Sequence, residues 1–136
     1  MEDCIFCKIA NGTIGSNTVY EDEDFRAIMD IAPAALGHVI ILPKAHAANV
    51  FEIDEELYGK GMKLAKKLAA AVKQATGCEG INVLQNNGTA AGQTVFHLHI
   101  HIVPRYDEDT VNVKWKPMSP AAEELAAMCE KIRNEI

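Results

Sequence analysis

Apolar and polar positions along the chain follow two periods, and the change from one to the other divides it into elements. Phe25, Ala27 and Met29 alternate with Arg26, Ile28 and Asp30, while Thr18 to Glu21 precedes them across the acidic turn Asp22-Glu23-Asp24; the pattern predicts two short strands paired as a hairpin. After the breakers Pro33 and Gly37, the run His38-Val39-Ile40-Ile41-Leu42, closed by Pro43, reads as an interior strand. From Glu55 to Thr76 the period becomes helical. Leu57, Gly61, Leu64, Ala65, Leu68, Val72 and Ala75 share one face, Lys60, Lys63, Lys66, Lys67 and Lys73 lie mostly on the other, Asp54 is a good N-cap and Gly77 a good stop. Gly80 to Gln85 alternates again, Asn86-Asn87-Gly88 supplies turn residues, and Val95 to Val103 alternates, which predicts two adjacent antiparallel strands. Ser119 as cap, Pro120 in the first turn and the stripe Leu125, Met128, Cys129, Ile132 and Ile136 predict a last helix that packs on the domain or on a partner. Strands joined by short turns with few helices make the class α+β: an antiparallel sheet of about five strands carrying one long helix and a C-terminal helix, in a single domain over 1–136.

Composition narrows the partners. The chain has 136 residues, 49% hydrophobic and 24% charged, which suits one compact domain with a real core. Its 13 basic and 19 acidic side chains give a net charge of −6 with no Lys/Arg block, so no nucleic acid and no anionic membrane surface is expected as a partner. No apolar run approaches the roughly 18 residues of a membrane span, and Glu2, Asp3 and Cys4 lack the start of a signal peptide, so a cytoplasmic location is expected. In such a reducing setting Cys4 and Cys7, a C-x-x-C pair with no strand before it, favour metal over redox chemistry. Cys78 and Cys129 read as small buried apolar residues.

The segment Val95-Phe96-His97-Leu98-His99-Ile100-His101-Ile102-Val103 carries the chemistry. On a strand His97, His99 and His101 share one face and Phe96, Leu98, Ile100 and Ile102 the other, the apolar face being the core face. A row of imidazoles is costly to bury unless each ring nitrogen has a partner, and each is suited to act as nucleophile, general acid or base, or metal ligand near neutral pH. The preceding loop brings Asn86, Gly88, Gly92, Gln93 and Thr94: amide donors, a hydroxyl and glycines that let backbone N–H groups approach a phosphate.

At these residues the sequence resembles the histidine-triad (HIT) superfamily, whose signature is complete as His97-Leu98-His99-Ile100-His101-Ile102-Val103. The likeness extends over about residues 4–105 through Cys4-Ile5-Phe6-Cys7-Lys8-Ile9, Met29-Asp30-Ile31-Ala32-Pro33, Gly37 to His46 and Ala91-Gly92-Gln93-Thr94; the tail over 119–136 lies outside it. The resemblance implies a HIT-like sheet, two protomers joined as a homodimer, and a hydrolase acting at the α-phosphate of purine nucleoside monophosphate derivatives. It implies His99 as nucleophile forming a nucleotidyl-histidine, His101 on the leaving group, and the His97 carbonyl orienting the His99 ring. Asn86, Gln93, Thr94 and the Val95 N–H would hold phosphate oxygens, Asp30 the ribose, and Ile5, Phe6, Ile9, Ile28 and Ile31 the base. The histidine at position 101 argues against uridylyl transfer, and the N-terminal C-x-x-C makes the chain similar to Hint-type bacterial members that prefer nucleoside phosphoramidates. Zinc-bearing relatives match Cys4, Cys7, His46 and His97 as the ligands of a structural zinc ion. His38 is expected to be structural. Other readings are a dinucleoside polyphosphate hydrolase, a non-catalytic nucleotide-binding regulatory protein, and a small zinc-dependent scaffold.

Overall fold

The computed structural model describes residues 3–136. Its elements are α1 (Ile5–Ala10), β1 (Thr18–Glu21), β2 (Phe25–Met29), β3 (Val39–Pro43), α2 (Glu55–Thr76), β4 (Gly80–Leu84), a 3₁₀ turn (Thr89–Ala91), β5 (Ile100–Arg105) and α3 (Ala122–Arg133). The strands form one sheet in the order β1-β2-β3-β5-β4, every neighbouring pair antiparallel. The class is α+β, as the alternation in the sequence implies.

The sheet is covered unequally. On one face Phe25, Ala27, Val39, Ile41, Leu98, Ile100 and Ile102 meet Leu64, Ala65, Leu68 and Val72 of α2. On the other, Ile28, Ile40 and Leu42 meet Ala10, with Phe6 and Ile9 of α1 packed against them. β3 is therefore buried on both sides, which is why its sequence is a continuous apolar run rather than an alternation. Each fully buried Leu or Ile there contributes roughly 2 kcal/mol. α2 begins where Asp54 accepts a hydrogen bond from the Leu57 N–H at 3.0 Å and ends at Gly77, whose φ of +67° is the left-handed cap that glycine adopts without strain. At Gly61 a Cβ would come within 3.3 Å of both Ile100 and Phe25, so the missing side chain lets α2 lie close over β2 and β5.

Five expectations are corrected. β5 starts only at Ile100, so His97 and His99 precede the strand: β3 pairs with β5 through Val39↔Ile102, Ile40↔His101 and Ile41↔Ile100, and the Leu98 N–H turns instead to the Ala47 carbonyl at 2.7 Å. Phe96, outside the ladder, is 48% exposed rather than core. Residues 85–99 form a long connection with a 3₁₀ turn, not a tight Asn-Asn-Gly hairpin. The last helix starts at Ala122 with Glu124 accepting the Ala121 N–H, after Ser119 and Pro120, and its stripe, Cys129 included, is exposed along Leu125, Met128 and Ile132. Cys78 is buried as expected. Helix α1 has no counterpart among the expectations, because six residues are too few for a period to register.

Candidate active site

Leaving the ladder before Ile100 frees the backbone and rings of His97 and His99 for other partners. His97 is fully buried and its Nε2–H donates to the Pro43 carbonyl at 2.8 Å. That bond fixes the proton on Nε2 and leaves Nδ1 as a bare lone pair. The same residue's carbonyl accepts the Nδ1–H of His99 at 2.8 Å, which fixes the second ring in the opposite sense and leaves the His99 Nε2 lone pair with no protein partner among the described residues. Phe6 stands edge-on to this ring at 4.9 Å between centroids. The expected role of the His97 carbonyl is present in the geometry.

The His97 Nδ1 lone pair points at three other donors. It lies 3.4 Å from Cys4 Sγ, 3.4 Å from Cys7 Sγ and 3.2 Å from His46 Nδ1, and Cys7 Sγ is 3.3 Å from His46 Nδ1. A tetrahedral ion with ordinary metal–sulfur and metal–nitrogen bonds would hold its ligands about 3.3 to 3.8 Å apart, so the set fits such an ion closely. The outward Nε2–H bond to Pro43 is the kind of outer contact that orients a metal-bound imidazole. Burial raises the Cys7 thiol pKa above its ordinary value, with Cys4 beside it adding to the rise; a cation is what would offset that.

On the far side of His99 sits a second cluster. The Ala34 N–H donates to His38 Nδ1 at 3.1 Å, so the His38 proton is on Nε2, which donates to His101 Nδ1 at 2.9 Å and lies 3.6 Å from Asp30 Oδ2. His101 thereby carries its own proton on Nε2. Its ring lies 4.8 Å from that of His99. His38 thereby sets the tautomer of His101 through this hydrogen bond.

Burial favours the neutral form of His97, His99, His101 and His38. His97 and His101 are each pushed down to about 4, chiefly by desolvation, the Pro43 carbonyl opposing the shift at His97 and the neighbouring His99 and His38 adding to it at His101. His99 and His38 are also lowered by burial, partly countered at His99 by the His97 carbonyl and Asp30 and at His38 by Asp30.

His99 and His101 open on a cavity of about 430 Å³. Ile5, Phe6 and Ile9 of α1 form one wall, and Ile28, Asp30 and Ile31 another, Ile31 at the rim with 95% exposure. Thr94 and Val95 also line it, together with Ile14 and Ser16, which carry no signal in the sequence. Asp30 is steadied through Oδ1 by the Ala32 N–H at 2.9 Å. Asn86 and Gln93 do not line this cavity. Gln93 is buried, donates to the carbonyls of Ala48 at 2.6 Å and Val95 at 3.1 Å, and accepts the Gly88 N–H at 2.8 Å. Both amide hydrogens are engaged, so its side chain shapes the loop instead of reaching a phosphate. Gly92, at φ +93°, makes the reversal that sends Gln93 inward.

Comparison with known proteins agrees with this geometry. The HIT domain family model matches residues 11–108. A solved structure from Streptococcus mutans UA159 superposes with a TM-score of 0.95 at 40% identity, covering 99% of this chain and 86% of that one. The adenosine 5'-monophosphoramidase of Schizosaccharomyces pombe is 40% identical over 134 residues, 98% of each chain. A Zn-bound histidine triad family protein from Mycobacterium smegmatis matches with a TM-score of 0.77 at 31% identity over 99% of both chains. With its histidine row, its cavity and these relatives, the chain belongs to the HIT domain family.

Proposed function

We propose that the protein is a nucleotide hydrolase that cleaves purine nucleoside phosphoramidates at the α-phosphate through a nucleotidyl-histidine intermediate on His99. One observation carries the reading: the His99 ring lines the cavity and donates Nδ1–H to the His97 carbonyl, which leaves its Nε2 lone pair without a partner among the described residues. A lone pair held at a fixed angle beside an apolar slot is what in-line attack on phosphorus needs. The bond from Nε2 to phosphorus forms as the phosphorus–nitrogen bond to the amine breaks, the leaving nitrogen taking the Nε2 proton of His101. Water then attacks phosphorus, returns a proton to His101, and releases the monophosphate and His99. In the net reaction, water supplies oxygen to phosphorus and hydrogen to the amine. His101, its proton placed on Nε2 by His38, hydrogen-bonds the leaving atom; Thr94 and the Val95 N–H face the phosphate, Asp30 the ribose, and the isoleucines with Phe6 the base. The name of the Schizosaccharomyces pombe relative supports the substrate class.

Cys4, Cys7, His46 and His97 would hold a zinc ion, which in a site of four protein ligands supplies structural cross-linking rather than catalysis. Two copies would associate through α2 and the edge strand β4, which a sizing column checks.

The test is rapid quench with adenosine 5'-phosphoramidate followed by mass spectrometry of the peptide carrying His99. An adenylyl adduct there supports the reading. Unchanged hydrolysis by His99→Ala refutes it. No observation favours a dinucleoside polyphosphate or a purely sensory role over this one, since a sensor needs no free nucleophile.

A further inference from the structure

We infer that the donor set Cys4, Cys7, His46 and His97 sets the affinity of the cavity for a nucleobase, by fixing α1 as its wall, and leaves the grip on the phosphate end untouched. The inference rests on the reading of the cavity as a nucleotide site. Its ground is the double use of one short helix. α1 has six residues, far below the length at which a helix is stable alone. Cys4 caps it and Cys7 lies in its first turn, both aimed at His46 and His97, while Ile5, Phe6 and Ile9 from the same turns face the cavity. Beyond the donor set, among the described residues, α1 is held by the packing of Phe6, Ile9 and Ala10 on Ile28, Ile40 and Leu42, by the Phe6 ring edge-on to His97 and His99, and by the Ile14 N–H on the Lys8 carbonyl.

The opposite end of the cavity has hydrogen bonds of its own that do not involve α1. Asp30 is fixed by the Ala32 N–H, and Thr94 and Val95 follow Gln93, whose amide is bound to Ala48, Val95 and Gly88. The His99 ring is oriented by a carbonyl whose own residue is anchored to Pro43 of the sheet. None of these bonds passes through α1. Loss of the ion therefore frees one wall, the apolar one, and a ligand must then organise that wall at its own expense.

The experiment is titration calorimetry of the full chain, zinc-loaded and chelator-stripped, with AMP and with ribose 5-phosphate, which lacks the base. Stripping is expected to weaken AMP by about tenfold while ribose 5-phosphate changes by less than about twofold. Phe6→Ala in the zinc-loaded protein, which keeps every donor atom, is expected to reproduce the same split. Equal weakening of both ligands, unchanged AMP affinity, or loss of cooperative unfolding in the stripped chain each overturns the inference, the last by making the ion a support of the whole domain. If zinc-loaded wild-type protein binds neither ligand, the nucleotide reading itself fails, and the inference with it.

Discussion

The two clusters flanking His99 have similar residues and opposite hydrogen bonding. Cys4, Cys7, His46 and His97 on one side, and Asp30, His38 and His101 on the other, each gather donor atoms within 4.8 Å of one another. In the first, the His97 proton is turned outward to Pro43, so its inward ring nitrogen is a lone pair facing two sulfurs and a second imidazole. In the second, protons run inward in sequence: Ala34 N–H to His38, His38 Nε2–H to His101. Inward lone pairs call for a cation; an inward chain of protons is satisfied without one and hands a donor to the cavity. Residue type alone does not separate a metal site from a hydrogen-bond chain. Backbone carbonyl and N–H placement does.

His99 lies between the two and belongs to neither, so the largest effect comes from removing it. His99→Gly is expected to lower turnover of adenosine 5'-phosphoramidate by at least about 10⁴-fold while keeping a full equivalent of zinc and most of the affinity for AMP. Steady-state kinetics beside metal analysis checks this. Loss of zinc in that variant would merge the two clusters.

The next effect separates the clusters directly. His46→Ala is expected to weaken zinc by more than about 100-fold, and His38→Ala to leave it unchanged, as read by competition with a chromogenic chelator. Conversely, His38→Ala is expected to lower kcat by up to about 100-fold through loss of the His101 tautomer, with KM for the phosphoramidate little changed. His38→Gln, whose amide N–H reaches toward the same acceptor, is expected to recover part of kcat. Equal damage from both glutamine and alanine would reduce His38 to a packing residue.

Much of this was legible in the sequence, and unevenly. α2 was, down to its caps, because Asp54 and Gly77 bound a long amphipathic period. Strands β1 to β4 were, since alternation or a closed apolar run marks each. The histidine segment misled in one respect: its alternation continues through Val95, but pairing with β3 ends at Ile41↔Ile100, and strand length is set by the partner as much as by the pattern. The place of His38 was readable only through register: Ile40 opposite His101 puts His38, two residues earlier, on the same face of β3 beside that ring. The bonding of Gln93 to Ala48, Val95 and Gly88 was not legible, because nothing local marks which groups an amide in a loop will meet. The C-terminal stripe is real as a pattern, yet α3 leaves it exposed within one chain.

The smallest effect concerns pH and sharpens the contrast at the proton-ordered cluster. His101 is held near 4 in the folded protein, against an ordinary imidazole value of 6.5. Between these values the unfolded chain binds a proton that the folded chain refuses, so stability rises with pH across that window and is lost as pH falls from 6.5 toward 4. One such group contributes at most about 1.4 kcal/mol per pH unit, about tenfold in the unfolding constant. His101→Gln removes the titration. Chemical denaturation of the zinc-stripped protein, wild type and variant, at pH 5 and pH 7 is therefore expected to give a smaller pH dependence in the variant, the stripped form being used so that proton competition for the metal does not contribute. An identical slope in both would mean that His101 accepts a proton freely in the fold, and that the His38 bond does not hold its tautomer.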